Sequence, residues 1–326
     1  MTSTSSKPHI ILFEDIERII NDPSFDAKLI EAIAKGYQDF SLGKFNLCPI
    51  QTMGAPPMAP LVSDVADYSA QVCIKSGYIT GDDSFVVKVA SGGTPFENSG
   101  LMQVYSQSTG RLTALLLDEG ILTELRTAAA GAVAVKYLGP PKPMCIGMVG
   151  TGVQARYQLR YIKQVTECRK LLIWGRNTEK VKALKEEIKC DWEVDSVETT
   201  KDLINSCDVV ITTTCSREAL IDGSIMEGGL VVCIGSDSVG KQELSKTFVS
   251  SADCLVCDSL VQTQERGEFQ HAIRDNEIEI KDIEEIGHVL KNGGRTDSIR
   301  GKSTIFDSSG VSVQDCVVSK MVLESL

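Results

Sequence analysis

Apolar and polar positions change rhythm about a third of the way along the chain. The spacing first predicts an amphipathic helix over Phe25–Ser41, then a Pro-rich loop at 48–60. Strand-like runs follow near 68–74, 84–89 and 101–105. A turn at 105–111 leads to a returning strand at 112–117, which suggests an antiparallel sheet with one wet face. Leu125, Ala129, Ala132 and Val133 then recur at helical spacing, predicting a helix over 123–138 with Thr123 as its N-cap. Gly139-Pro-Pro-Lys-Pro143 breaks the chain. Beyond it, strands at 145–149, Lys170–Trp174, 208–212 and 229–234 alternate with helices, the rhythm of a parallel sheet covered on both faces. The acid-rich stretch 275–285 reads as a solvated helix face.

The 326 residues suffice for about two domains, and 42% apolar with 24% charged residues is ordinary for a globular chain. A net charge of −11 disfavours nucleic acid as a partner, although it leaves room for a small anion held by a few cations. The eleven cysteines sit mostly in apolar runs, as buried hydrophobes of a reducing compartment do. Cys254 and Cys257 have metal-pair spacing but fall in a buried strand pattern, and His9, His271 and His288 are not spaced with cysteines, so no metal is expected. No apolar run reaches membrane-spanning length and the first residues lack an apolar signal core, so the expectation is a cytoplasmic protein with no membrane partner.

Gly150-x-Gly152-x-x-Ala155 directly follows one expected strand and opens a helix, with the next strand ending at Trp174. This context makes it a dinucleotide-binding loop. Gly150 permits the tight turn, Gly152 lets backbone amides approach a pyrophosphate, and Ala155 keeps helix and strand close. The second strand ends in Trp174-Gly175-Arg176-Asn177, with no acid to hold a ribose; Arg176 can grip a 2′-phosphate and Asn177 can add a neutral hydrogen bond. The expected cofactor is NAD(P)H, leaning to NADPH.

Leu122-Thr-Glu-Leu-Arg-Thr-Ala-Ala-Ala-Gly131, the Gly150–Ala155 loop, Gly235-Ser-Asp-Ser-Val-Gly-Lys-Gln-Glu-Leu244 and Phe306-Asp-Ser-Ser-Gly-Val-Ser-Val-Gln-Asp315 together resemble the ornithine cyclodeaminase/μ-crystallin family, nearest its iminosuccinate reductase-like branch. The resemblance implies an α/β protein. A Rossmann dinucleotide-binding domain, residues 123–305, is inserted into a discontinuous α/β substrate-binding and dimerisation domain, residues 1–122 and 306–326. A homodimer is expected. Carried over by position, Lys88 and Arg126 would hold a substrate α-carboxylate and Asp237 would serve as acid/base, with Lys88 beside it in the catalytic set. Thr127, Thr151, Val153, Gln154, Thr213, Ser309 and Gly310 complete the expected cofactor contacts.

Two departures shape the substrate. No Arg lies between Arg18 and Arg111, where the family often has one on the α-carboxylate; Gln51 or a neighbour stands near that place. Thirteen residues before Lys88, where ornithine-deaminating members carry a Glu, this chain has Lys75. A cation there repels an ammonium and attracts a second carboxylate. The expected activity is therefore reduction of a small imino acid, best iminosuccinate to aspartate, reversible as an amino-acid dehydrogenation. The rivals are a cyclodeaminase and a non-catalytic binder of NADP and a small ligand.

Overall fold

The structure is a computed structural model that describes residues 7–54, 71–93, 96–294 and 299–326. Residues 55–60 of the expected loop and 68–70 of the expected strand lie outside the described residues. The chain divides into two compact units: Met1–Phe25, Gly43–Arg126 and Ser312–Leu326 form the first, Asp26–Leu42 and Thr127–Val311 the second.

The first unit is built on a seven-stranded sheet. Its strands are β1 (His9–Ile11), β2 (Phe45–Leu47), β3 (Gln51–Met53), β4 (Gln71–Ile79), β5 (Ser84–Gly93), β6 (Phe96–Ser106) and β7 (Leu112–Leu116). They lie in the order β1-β7-β6-β5-β4-β2, with β3 also on β4. All pairs are antiparallel except β1 with β7, so the sheet is mixed rather than purely antiparallel. Register places Lys75, Lys88, Met102 and Leu116 in one row across β4 to β7, and Gly77, Val86, Val104 and Ala114 in the next. Both rows are buried. Helix Val313–Glu324 covers this face: Ser312 Oγ donates to Ser76 O (2.9 Å) and Cys316 Sγ to Gly77 O (3.5 Å).

Because side chains alternate across a strand, the other face carries Ile74, Tyr78, Phe85, Val87, Val89, Leu101, Tyr105 and Leu115, all half-buried. Tyr78 and Phe85 meet edge to face at 4.9 Å. The expectation of a wet second face is only partly met: Ser76, Gln103 and Thr113 lie on it, but its other positions are apolar and half-buried. The helix after β7 spans Ile121–Leu138, not 123–138. Thr123 is not its cap; the Asp118 side chain accepts from Leu122 N at 3.0 Å and starts the helix two residues earlier.

The second unit holds eight parallel strands, β8 (Ile146–Val149), β9 (Lys170–Trp174), β10 (Glu193–Ser196), β11 (Val209–Thr212), β12 (Leu230–Cys233), β13 (Cys254–Cys257), β14 (Ile283–Glu285) and β15 (Thr304–Asp307). Their order is β10-β9-β8-β11-β12-β15-β13-β14. Sequence order reverses between β8 and β11, the switch point where doubly wound sheets take ligands at their carboxyl ends. Every residue of β8, β11, β12 and β15 is buried, as expected of strands covered on both faces. Asp26 of the second unit's N-terminal segment pairs with Arg160 at 2.7 Å.

The stretch 275–285 is not a helix. It is an exposed turn, a 3₁₀ turn at Ile280–Asp282 and strand β14, because Ile283 is drawn into the sheet beside Leu255. Cys254 and Cys257 bound β13. No helix among the described residues is long and apolar enough to cross a membrane.

Candidate functional site

In the first unit two buried cations, Lys88 and Arg126, meet one carboxylate, and a third, Lys75, lies beside Lys88. Lys75 and Lys88 are directly opposite each other on β4 and β5, which puts their Cβ atoms about 5 Å apart. Both are buried, at 5% and 3% exposure. Arg126 enters from the second turn of helix Ile121–Leu138 and is as buried as they are. Asp315, near the start of helix Val313–Glu324, meets Lys88 Nζ at 3.7 Å and Arg126 Nε at 3.1 Å. Neither contact is aligned as a hydrogen bond, so among the described residues both Asp315 oxygens are buried without a donor. Arg126 also donates through Nη1 to Gln314 Oε1.

Burying like charges is costly unless something shares the field. Burial lowers Lys88 to about 8, Asp315 opposes the shift, and Arg126 and Lys75 add to it. Burial raises the Asp118 carboxyl, with Asp315 adding to the shift and hydrogen bonds from Leu122 and Gly120 N opposing it. Positive charge is thus in excess in a dry setting, which suits an anion with more than one carboxylate. Gln51, by contrast, lies exposed on β3 and is not part of the buried cluster. Sequence reasoning named Lys75, Lys88 and Arg126 but missed Asp315, Gln314 and Asp118. The signal for Asp315 was an acid inside the apolar start of the closing helix.

In the second unit, the loop after β8 has the form a dinucleotide needs. Gly150 has φ +118°, and a Cβ there would sit 2.6 Å from Thr213 Oγ1. Gly152 is the N-cap of helix Val153–Ile162, offers no capping side chain, and faces open space where a Cβ would be. The helix start therefore has amide groups for an anion. Ala155 is fully buried, and Val153 is exposed beside the loop. The carbonyls of Thr151 and Thr127 are taken by Arg156 Nη1 (3.0 Å) and Gln158 Nε2 (3.1 Å), and Gln154 Oε1 also accepts from Gln158. Thr213 Oγ1 donates to Val149 O at 3.2 Å.

At the end of β9, Arg176 is exposed, while Asn177 Oδ1 caps helix Thr178–Ile188 by accepting from Lys180 N at 3.0 Å. Asn177 thus has structural work of its own. Ser309 and Gly310 follow β15, and both amides donate to Asp258, at 3.1 and 2.8 Å. These residues fit a nicotinamide dinucleotide as the bound group. Asp237 follows β12 in the same unit and is exposed, with Oδ1 2.6 Å from Lys241 Nζ and 3.1 Å from Ser238 Oγ.

The sequence pattern described as the ornithine cyclodeaminase/mu-crystallin family matches residues 88–326. An uncharacterized cyclodeaminase of Sinorhizobium fredii is 36% identical over 282 residues, 82% of this chain and 84% of that protein. The iminosuccinate reductase of Paracoccus denitrificans is 34% identical over 227 residues, 68% of each chain. The crystal structure of an iminosuccinate reductase of Paracoccus denitrificans in complex with NAD+ superposes with a TM-score of 0.83 at 25% identity, covering 98% of this chain and 96% of that one.

Proposed function

Because the chain belongs to the ornithine cyclodeaminase/mu-crystallin family, we propose that it is a nicotinamide-dependent oxidoreductase of small imino and amino acids, and that its substrate is an imino dicarboxylate of the iminosuccinate type. The observation that carries this reading is the burial of Lys75 opposite Lys88, with Lys88 and Arg126 both against Asp315. Arg126 offers a planar fork for one carboxylate, with Lys88 beside it, and Lys75 supplies the charge for the second. A relative named iminosuccinate reductase supports the substrate class.

When bound, the reduced cofactor supplies a hydride for the imine carbon. The loop Gly150–Gly152 would hold its pyrophosphate, with Thr127, Thr151, Val153, Gln154, Thr213, Ser309 and Gly310 around it. Arg176 would favour a 2′-phosphate, hence NADPH. Asp237 would face the reacting nitrogen, exchanging a proton with it; a protonated imine is a cation and can take the place of Lys241 against the carboxylate. The apolar face of β4 to β7 supports a homodimer, since half-exposed aromatic and β-branched residues of this extent call for a cover.

The relative named a cyclodeaminase favours a second reading, ammonia release from a diamino acid. Lys75 opposes it, because an incoming ammonium would meet a buried cation. Incubation with L-aspartate and oxidised cofactor is expected to yield reduced cofactor. Ammonia and proline formed from ornithine, without net cofactor reduction, would overturn the proposal.

A further inference from the structure

The loop carrying Asp237 is tied down by a buried carboxylate that the reaction itself does not use. Glu243, fully buried, sits at the end of this loop and reaches back to the carboxyl ends of two parallel strands. Its Oε1 accepts from Thr214 N at 2.6 Å, and its Oε2 accepts from Gly235 N at 3.1 Å and from Thr212 Oγ1 at 2.6 Å. Thr214 follows β11 and Gly235 follows β12, so one side chain joins both strand ends two residues before Asp237.

The approach is close enough to exclude any side chain at position 235. A Cβ on Gly235 would lie 2.1 Å from Thr214 O and 2.7 Å from Glu243 Oε1. Glu268, also buried, holds the backbone of the clamp by accepting from Glu243 N (2.9 Å) and Leu244 N (2.6 Å), and its own amide donates to Asp307 Oδ1 at 2.8 Å. The far side of the loop rests on Gln270, whose Oε1 accepts from Gly240 N (2.8 Å) and whose Nε2 donates to Lys241 O (3.2 Å).

We infer that Glu243 is a positioning residue, fixing the Asp237 loop to the ends of β11 and β12 so that the Asp237 carboxylate is presented in one geometry. The inference rests on the reading of Asp237 as the group at the reacting nitrogen. A carboxylate suits the task because it is acceptor-only and meets three donors with two oxygens; a glutamine would turn its NH₂ toward one of the donors. Such a buried acid, with no cation paired to it among the described residues, is expensive, and burial raises Glu243 while these hydrogen bonds pull it back.

The test is a double-mutant cycle of E243Q with D237N, read as kcat of imine reduction, with cofactor affinity and melting temperature measured beside it. E243Q is expected to lower kcat about 10- to 100-fold with cofactor affinity kept within about threefold, and to add no further loss in the D237N background. An equal loss in both backgrounds overturns the inference and leaves the reading of Asp237 standing. Wild-type activity in D237N alone overturns that reading, and the inference with it. Should E243Q fail to fold, Q270A replaces it in the same cycle. A Q270A loss of about tenfold confined to the background that retains Asp237 supports the clamp, and an unchanged kcat overturns it.

Discussion

Replacing Asp315 by Asn removes the carboxylate that most strongly opposes the charges of Arg126 and Lys75 at Lys88. At the 3.7 Å separation of Lys88 and Asp315, and with an effective dielectric near 20, the interaction is worth about 4 kcal/mol. One pKa unit corresponds to about 1.4 kcal/mol, so three units is about the ceiling for the resulting shift. Relaxation would reduce this, and a fall of one to two units is a reasonable expectation, on the order of half that ceiling. Lys88 starts at about 8, and the sign is downward, because the ammonium loses its favourable neighbour.

In the intact protein kcat/KM for an imino dicarboxylate should therefore fall as pH rises through about 8, where Lys88 loses its charge. In D315N that limb should move to lower pH by about one to two units, while below it the dicarboxylate is bound as well as before or better, because one negative charge has gone. The assay is the pH profile of kcat/KM, with the melting temperature as a control, since leaving buried cations unpaired can cost several kcal/mol, roughly 3–5. K88R, which keeps its charge, should lose the limb altogether. A limb in D315N that stays in place or rises would refute the electrostatic account of the cluster.

Exchanging Lys75 for Glu should lower kcat/KM for the dicarboxylate about 100-fold, about 2–3 kcal/mol, and that for an alanine-sized imine far less; equal losses in steady-state kinetics would remove Lys75 from its assigned role. R176A should weaken NADPH about tenfold and NADH little, as read by fluorescence titration, because only the former has a phosphate to lose. V87D, in the middle of the apolar sheet face, should shift the protein from dimer to monomer in sedimentation, and an unchanged mass would place the subunit contact elsewhere.

The candidate site was read from two sources, a local glycine loop and a family resemblance. Lys88, Arg126 and Lys75 were named by position from the family resemblance rather than from any period, and the register of β4 with β5 then brings Lys75 opposite Lys88. The glycine loop was legible by itself, since strand, turn and helix follow one another directly. Asp315 was not, because it reaches Lys88 from a helix 227 residues further on, and no spacing rule covers that distance. Asp118 was passed over as a cap because Thr123 satisfies the same preference two residues into the helix. The second face of the first sheet was read as wet because Ser76, Gln103 and Thr113 interrupt its apolar rows. The stretch 275–285 was misread because its isoleucines suit an exposed helix as well as a strand, and only pairing with β13 decides between them. Glu243 stood within a quoted motif, yet its carboxylate acts on the strand ends, which the motif alone does not reveal.

The central claim is that this chain reduces an imino dicarboxylate, and nicotinamide absorbance tests it most directly. Oxaloacetate plus ammonium should consume reduced cofactor with kcat/KM at least about tenfold above that for pyruvate plus ammonium, as a second carboxylate contact worth about 1.5–3 kcal/mol requires. Equal rates with pyruvate, or inertness toward both while the cofactor still binds, would contradict it.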